Sequence, residues 1–393
     1  MTDSPTKRTG ALFGTRVPAA RSLRSYESRR PRHLNFDRIF LAKGSLDTNE
    51  RRRIAEGVCA LYPEAERIER LDAPHNRIDL GEADALARHR AGKRTLVLGV
   101  HGSSVRRSEE SGNTCPNYWH FSPYGFCPYA CAYCYLAGTT GVWHSPTVKI
   151  YVNLPEILAG IDRVARRLAK PTAFYLGKLQ DGLALDPLTG YSKALVPFFA
   201  QHPFAMQVIL TKSAGVDNLI GLGHGGRTIL SWSVNPPEVA GRFEVGSPSM
   251  DDRLGAMERC AAAGYPVRAV LMPMIPLEGW PDIYWRFVGG LLARVPIRRL
   301  TVGGICSYRN ARRLMERKLG RDNPISRSFE AGGKAPDGRL RYPRELRVEM
   351  YRRVIGAARQ VRPETELALC LEERPVWEAV GLAGSLGRCN CVL

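Results

Sequence analysis

Three closely spaced cysteines constrain this chain more than any other feature of its sequence. They lie in the run Cys127-Pro-Tyr-Ala-Cys131-Ala-Tyr-Cys134, which has the spacing C-x3-C-x2-C. The spacing brings three thiolates together, and the loop supplies no fourth ligand. A structural zinc site needs four protein ligands, and an all-cysteine iron–sulfur cluster for electron transfer normally has four thiolates. The motif therefore favours a [4Fe-4S] cluster in which one iron is open to a small molecule.

An open iron is what the radical S-adenosylmethionine (SAM) enzymes require, and the motif resembles their signature. Tyr133, the aromatic residue directly before the third cysteine, is part of that resemblance. In these enzymes SAM chelates the open iron and is split to a 5′-deoxyadenosyl radical, so the cofactor supplies the chemistry and the protein positions it. Two alternatives stay open. One is a zinc knuckle completed by Cys115, His120 or His144, and the other is three cysteines that only pack in a core.

The chain has ten cysteines, which in an intracellular protein indicates metal or redox chemistry rather than disulfides. Cys59 and Cys260 lie in apolar helical patterns and are expected to be inert core residues. Cys389 and Cys391 lie close to the C-terminus, where we expect a flexible tail.

The composition is that of a globular protein, with 393 residues of which 44% are hydrophobic and 24% are charged. Such a chain can bury a sizeable core, and we expect one large domain with attachments. No run of about 18 apolar residues occurs, so no membrane span is expected. The N-terminal residues lack the apolar region of a secretory signal, which favours the cytoplasm.

The net charge of +19 is concentrated in two segments. Residues 1–34 carry 8 Lys and Arg against 2 Asp and Glu, and residues 294–362 carry 19 against 6. A charge that served only solubility would be spread more evenly, so these segments predict a face that binds a polyanion, and DNA is the leading partner.

Strand-like runs alternate with helical patterns between about residues 115 and 320, which argues for βαβ units and a parallel sheet in a curved or partly closed barrel. In such barrels the chemistry lies at the C-terminal ends of the strands, where we expect the cysteine loop. Predicted strands are 95–100, 172–176, 205–211, 228–234, 267–272, 299–302 and 366–371. Predicted helices are 48–62 with Asn49 as a possible cap, 191–201, 251–263, 282–294, 311–319, 344–362 and one near Val376.

These patterns divide the chain into four parts. We predict a basic disordered arm at 1–34, a small N-terminal α/β subdomain at 35–110, the barrel at 111–325 and a basic C-terminal extension, largely helical, at 326–393.

Further motifs resemble the spore photoproduct lyase family of radical SAM enzymes over roughly residues 95–290. Besides the cysteine run, the matching segments are Lys149-Ile-Tyr-Val-Asn-Leu154, Leu185-Asp186, Leu210-Thr211-Lys212, Ser231-Trp-Ser233-Val-Asn235, Ala263-Gly264-Tyr265 and Glu278-Gly279-Trp280. The resemblance implies an open, partial (β/α)6 barrel, a [4Fe-4S] cluster, SAM, and repair of a thymine photoproduct in DNA. An electron donor such as flavodoxin or ferredoxin would also be needed.

The resemblance also implies roles for individual residues. Cys127, Cys131 and Cys134 would hold the cluster. Lys212, Ser233 and Asn235 would lie near SAM, since a lysine can meet its carboxylate and Ser and Asn can satisfy its polar groups. Tyr133 and Tyr135 fall where the family has two tyrosines that relay hydrogen, although both rings could instead only pack around the cluster and exclude water.

One position departs from the family pattern. The lyases carry a cysteine that returns a hydrogen atom to the product radical, and here the same register gives Lys178. An alkylammonium cannot donate hydrogen as a thiol does. The departure favours an alternative function on another substrate, such as RNA, a protein or a small molecule. A replacement donor would be Cys389, Cys391, Cys370 or Cys306.

Overall fold

A computed structural model describes residues 30–31, 34–109, 112–330 and 338–393. The predicted basic arm lies outside the described residues, apart from Arg30, Pro31 and Leu34. The proposed division into four parts stays a prediction.

The described residues form thirteen strands and thirteen α-helices. The strands are β1 Arg38–Ala42, β2 Glu66–Arg70, β3 Thr95–Gly99, β4 Val105–Ser108, β5 Tyr118–Phe121, β6 Tyr124–Gly125, β7 Val148–Tyr151, β8 Thr172–Leu176, β9 Ala205–Thr211, β10 Thr228–Ser233, β11 Val267–Leu271, β12 Arg299–Val302 and β13 Glu366–Leu369. The helices are α1 Asn49–Cys59, α2 Ala85–Lys93, α3 Thr140–His144, α4 Leu154–Leu168, α5 Asp186–Thr189, α6 Ser192–Gln201, α7 Pro237–Phe243, α8 Met250–Ala262, α9 Trp280–Arg294, α10 Arg309–Leu319, α11 Pro324–Glu330, α12 Arg344–Val361 and α13 Arg374–Ala379.

The strands form two sheets. In the described part of the chain, the small sheet has the order β2-β1-β3-β7-β6 and the large sheet has the order β13-β12-β11-β10-β9-β8-β5-β4. From β13 to β5 all neighbours in the large sheet are parallel, and β4 is antiparallel to β5. Apolar strands covered by crossover helices are typical of a parallel sheet of this kind, so the predicted α/β class is confirmed.

The large sheet curls into a partial barrel. Thr114, just before β5, donates from its main-chain N–H and from its hydroxyl to the carbonyl of Glu372, just after β13, both at 2.9 Å. In a flat sheet, six strand intervals would separate β5 from β13 by about 29 Å. The contact therefore requires the two ends of the sheet to approach each other.

The inner and outer faces of this sheet differ in what covers them. In β10, Leu230 and Trp232 point into the main core, whereas Ile229 packs in a smaller inner cluster with Tyr118 and Tyr175. This alternation is the ordinary two-residue period of a strand.

The inner face also receives the C-terminal residues. Ser231 donates to the side-chain oxygen of Asn390 at 2.8 Å, Arg268 donates to the carbonyl of Val392 at 2.6 Å, and Arg299 donates to the carbonyl of Cys389 at 2.8 Å. The expectation of a flexible tail around Cys389 was wrong, because the buried guanidinium groups of Arg268 and Arg299 need acceptors and the tail carbonyls provide them. Cys389 is 2% exposed.

Most predicted elements agree with the structure within two residues. Thr172–Leu176, Ala205–Thr211 and Arg299–Val302 have the predicted bounds. The cap of α1 is different, since the Thr48 side chain, and not Asn49, accepts the hydrogen bond from the Arg51 N–H at 3.2 Å. Within the described residues, no helix combines the length and the apolar character that crossing a bilayer requires.

Candidate active site

The cysteine loop is fixed to a neighbouring segment by main-chain hydrogen bonds. The Ala132 N–H donates to the carbonyl of Phe243 at 2.7 Å, and the Ala130 N–H donates to the carbonyl of Val245 at 2.9 Å. These two bonds pair the loop with the chain that leaves α7. Glu244, which lies between the two acceptor residues, is thereby brought to the cysteines.

A buried lysine holds the other side of the loop. Lys93, the last residue of α2, donates to the carbonyl of Cys127 and to that of Tyr129, the latter at 2.7 Å. Its ammonium nitrogen lies 3.5 Å from the centre of the Phe126 ring, a cation–π contact. Burial lowers the pKa of Lys93, while the neighbouring Cys127 thiolate acts to raise it. A cation at this position suits a loop that carries negatively charged ligands.

The three thiols share one buried region. Cys131 is buried, and Cys127 and Cys134 are partly exposed. Each of them acts electrostatically on Lys93. Among residues 30–31, 34–109, 112–330 and 338–393, no three His, Cys, Asp or Glu side chains already surround a common metal position. The donor set fits an iron–sulfur cluster by its chemistry, and the assignment of the three cysteines as ligands stays a prediction.

The strands next to the loop end in polar side chains that meet one another. Lys212 follows β9 and donates to the hydroxyl of Ser233, the last residue of β10, at 2.7 Å. The Lys212 ammonium nitrogen also lies 3.7 Å from a carboxylate oxygen of Glu244. Two of the three residues predicted to lie near SAM are therefore in direct contact.

Glu244 joins these residues to the cysteine loop. The same carboxylate oxygen accepts a hydrogen bond from the Tyr133 hydroxyl and another from the Asn235 amide, the latter at 3.3 Å. The second oxygen lies 2.5 Å from a guanidinium nitrogen of Arg253, and both of these side chains are fully buried. The structure thus gathers Tyr133, Lys212 and Asn235 around one carboxylate, and Ser233 joins them through its hydrogen bond with Lys212.

The charges in this cluster stabilise each other. Burial raises the pKa of Glu244, but the cations of Lys212 and Arg253 outweigh burial and hold the pKa below its usual value. For Lys212, burial lowers the pKa, and the Glu244 carboxylate more than offsets this, so that the net direction is upward. Both groups are therefore ionised at neutral pH. A buried ion pair of this kind is strongly destabilised when one partner is removed.

The main chain of Lys212 is positioned by Asp181. One carboxylate oxygen accepts a hydrogen bond from the Lys212 N–H at 2.6 Å, and the other accepts one from the Thr211 hydroxyl at 2.6 Å. The close contact between the residues that follow β8 and the end of β9 helps to hold Asp181 beside Lys212. This contact depends on Gly177, which has φ of +144° and where a Cβ would lie 2.7 Å from that of Leu210. Only glycine fits this position without a shift of the neighbouring strand.

Tyr135 lies apart from this cluster. It is 36% exposed, and its hydroxyl donates to the carbonyl of Lys178 at 2.7 Å. The Lys178 ammonium group donates to the Ser108 hydroxyl, and its nitrogen lies 5.3 Å from the centre of the Tyr118 ring. The structure therefore separates the two predicted tyrosines: Tyr133 faces Glu244, and Tyr135 faces Lys178.

Comparisons with known proteins show which family this chain belongs to. The family model described as spore photoproduct lyase matches residues 38–303, about two thirds of the chain. The chain belongs to the spore photoproduct lyase family.

Named relatives in this family match part of the chain. Spore photoproduct lyase from Geobacillus sp. (strain Y412MC61) is 33% identical over 207 residues, which cover 52% of this chain and 58% of the relative. The enzyme from Bacillus subtilis (strain 168) is 31% identical over 225 residues, which cover 56% and 64%. The chain thus spans about six tenths of the length of these curated relatives.

Solved structures of spore photoproduct lyase share the fold. One, complexed with dinucleoside spore photoproduct, has a TM-score of 0.75 at 23% identity and covers 86% of this chain and 99% of its own. Another, a variant with bound AdoMet and dinucleoside spore photoproduct, has a TM-score of 0.73 at 23% identity and covers 85% and 98%.

Three residues of the site were missed from the sequence. Glu244, Arg253 and Lys93 each lie in a local pattern that resembles a surface helix or loop, where a charged residue is ordinarily exposed. Nothing local distinguishes them, since their partners are distant in the chain.

Proposed function

We propose that this protein is a radical SAM enzyme of lyase type that acts on DNA, most specifically on a thymine photoproduct. The observation that carries the proposal is the cluster of Lys212, Ser233 and Asn235 around Glu244, which Tyr133 links to the three-cysteine loop. Chemistry at the carboxyl ends of parallel strands is the general rule for folds of this type.

The cysteine loop would hold the iron–sulfur cluster through Cys127, Cys131 and Cys134. Together with SAM, a cluster with an open iron supplies a 5′-deoxyadenosyl radical. The contribution of this chain would be to fix the loop through Lys93 and the carbonyls of Phe243 and Val245, and to exclude water around buried Tyr133.

The polar cluster would receive SAM. Lys212 offers an ammonium group for a carboxylate, and Ser233 and Asn235 offer a hydroxyl and an amide for amino and hydroxyl groups. Glu244 would keep Lys212 charged and would hold Asn235 in a fixed orientation. Tyr135, being partly exposed beside Lys178, is the better placed of the two tyrosines to meet a substrate.

Surface arginines on a helix next to Tyr135 support a DNA partner. Helix α10 begins directly after Tyr308, whose ring centre lies 6.4 Å from that of Tyr135. Arg309 and Arg313 are exposed on this helix and could contact phosphates. Other arginines of residues 294–362 serve the fold instead, since Arg299 and Arg347 are buried. The basic face is therefore narrower than the charge count suggests.

A second candidate function has its own observation. Lys178 replaces the thiol expected at that register, and its ammonium group points to Ser108 and Tyr118. A radical SAM enzyme that modifies RNA, a protein or a small molecule is the alternative. Cytoplasmic location and a flavodoxin or ferredoxin as electron donor stay predictions.

The proposal is tested on protein reconstituted anaerobically with iron and sulfide. It is incubated with ultraviolet-irradiated DNA, a one-electron reductant and SAM, and nucleosides and adenosyl products are measured by mass spectrometry. We expect thymine from the photoproduct together with cleaved SAM. Cleavage of SAM without loss of any photoproduct would instead favour the second candidate.

Matched variants show whether the assigned cysteines matter. Cys127→Ala, Cys131→Ala and Cys134→Ala should each abolish cleavage of SAM, whereas Cys59→Ala on α1 should leave it intact. If all three loop variants still cleave SAM, these cysteines do not hold the iron–sulfur cluster, and the proposed function is wrong.

A further inference from the structure

Four thiols from three distant segments of the chain meet against the inner face of the barrel. Cys115 forms hydrogen bonds with Cys370 and with Cys389, and Cys389 forms another with Cys391. Each of the four is a thiol and not half of a disulfide. The hydrogen bond with Cys370 lowers the pKa of Cys115, but the bond with Cys389 and burial outweigh it and raise the pKa to about 12. The hydrogen bond with Cys115 lowers the pKa of Cys389, but its bond with Cys391 and burial outweigh it and raise the pKa as well, so Cys115 and Cys389 are neutral S–H groups at physiological pH.

Independent contacts bring the segments together. The segment of Cys115 is bound to the segment of Cys370 by the two Thr114 hydrogen bonds to Glu372 at 2.9 Å. The tail that carries Cys389 and Cys391 is fixed by Arg268 and Arg299. The cluster is thus built from three segments that the fold itself holds in place.

Tyrosine rings connect these thiols to the proposed site. Cys391 packs against the inner cluster that contains Tyr118 and Tyr175, whose ring centres lie 5.7 Å apart. Burial raises the pKa of Tyr175, and the nearby Cys391, Tyr135 and Cys370 raise it further. Tyr118 connects Tyr175 to the site of Tyr135, because the Lys178 nitrogen lies 5.3 Å from the Tyr118 ring centre and the Lys178 carbonyl accepts the hydrogen bond of the Tyr135 hydroxyl.

We propose that Cys391 donates a hydrogen atom to Tyr175, so that the four-thiol cluster supplies hydrogen atoms to the site that Tyr135 faces. This inference rests on the proposed radical function. It assigns to the C-terminal segment a chemical role that Lys178 cannot perform, because an ammonium group holds no weakly bound hydrogen atom.

The steps balance as transfers of single hydrogen atoms. A substrate carbon radical takes hydrogen from the Tyr135 hydroxyl, so that a C–H bond forms as the O–H bond breaks. The resulting phenoxyl radical takes hydrogen from Tyr175, and Tyr175 takes it from the S–H group of Cys391. The sulfur radical that remains is reduced by one electron from the one-electron reductant that the enzyme already requires, with one proton from solvent.

The donor can be tested on the full chain without cluster, SAM or substrate. Tyrosyl radicals are generated by a laser flash under argon, and their decay is followed by absorbance in the wild type, Cys391→Ser, Cys391→Ala and the control Cys59→Ser. We expect the two Cys391 variants to retain a long-lived tyrosyl fraction at least threefold larger than in the wild type and the control. Decay that is unchanged in both variants, with circular dichroism showing folded protein, would overturn the proposal.

A second measurement separates this inference from the proposed function. Reconstituted protein is given SAM, reductant and dinucleoside spore photoproduct, and thymine is measured per 5′-deoxyadenosine. Cys391→Ser should cleave SAM normally and lower this ratio at least tenfold, and an unchanged ratio would contradict the donor assignment. If the wild type makes no thymine, the proposed substrate is wrong, while the flash experiment still decides the role of Cys391.

Discussion

The hydroxyl of Tyr133 donates a hydrogen bond to the carboxylate of Glu244, and both side chains are buried. This bond links the cysteine loop to the ends of the strands that carry Lys212 and Asn235. The position of Tyr133 beside the three cysteines is thus set by a residue more than a hundred positions further along the chain.

Replacing this carboxylate should destabilise the fold. Glu244→Gln leaves Lys212 and Arg253 without their buried counter-charge, and we expect a loss of about 3–5 kcal/mol in the free energy of unfolding. Urea unfolding measures it, with exposed Glu238→Gln on α7 as the control. The pKa of Glu244 is lowered from 4.5. The difference in the free energy of unfolding between the wild type and Glu244→Gln should therefore persist above pH 4.5 and shrink as the pH falls through the lowered pKa. If the wild type and Glu244→Gln are equally stable at neutral pH, the Glu244 carboxylate does not hold this cluster together.

Binding of SAM should depend on Lys212. Lys212→Met removes the ammonium group that would meet the SAM carboxylate, and the loss of one charge-assisted hydrogen bond should weaken binding by about 10- to 100-fold. Calorimetric titration of SAM into reconstituted protein measures the affinity, and the exposed Lys170→Met serves as control. If both variants bind SAM equally well, SAM does not lie at this cluster.

The cysteine loop should lose its fixed shape without Lys93. In Lys93→Met the carbonyls of Cys127 and Tyr129 lose a shared donor, so we expect lower iron and sulfide content per chain after reconstitution. Exposed Lys43→Met is the comparison variant. A full iron complement in Lys93→Met would mean that the loop is held by its other contacts alone.

Arginines of α10 should contribute to DNA binding. Arg309→Ala and Arg313→Ala are each expected to weaken binding, and each should reduce the slope of log affinity against log salt by about 1. Fluorescence anisotropy at several salt concentrations gives both quantities. Arg167→Ala, exposed on α4, should change neither, and identical slopes in all variants would exclude α10 from the interface.

A buried lysine in the small sheet should give the fold a distinctive pH dependence. Lys149 donates to the carbonyls of Ser145 and Thr147 at 2.9 and 3.0 Å, and burial lowers its pKa from 10.5 to about 7. Between these values the unfolded chain binds the proton and the folded chain does not. This group therefore makes stability rise with pH by about 1.4 kcal/mol per unit from pH 7 to 10.5. Lys149→Met should flatten that rise when stability is measured by urea unfolding at several pH values. If stability rises with pH equally in the variant and the wild type, the lowered pKa of Lys149 is refuted.

The local sequence predicts the strands and helices of this protein well and the contacts between distant residues poorly. Strands such as Thr172–Leu176 were predicted because apolar runs bounded by Gly and Pro fix their type and their ends. Lys212 and Ser233 were placed near SAM by the resemblance to the family, and the structure brings the two side chains into contact at the ends of β9 and β10. The hydrogen bond between Tyr133 and Glu244 was not predictable, because it depends on how α7 returns to the cysteine loop. The tail was misjudged because its acceptor carbonyls match arginines about 90 to 120 residues away.

Helix α10 packs closely against the segment that follows the cysteine loop. Gly138, four residues after Cys134, comes so close to Ala311 that an added methyl group would lie 2.6 Å from the Ala311 nitrogen. Neither element can slide past the other. A shift of α10 would therefore also move the segment that follows Cys134, so the positions of the exposed arginines and of the cysteine loop depend on each other.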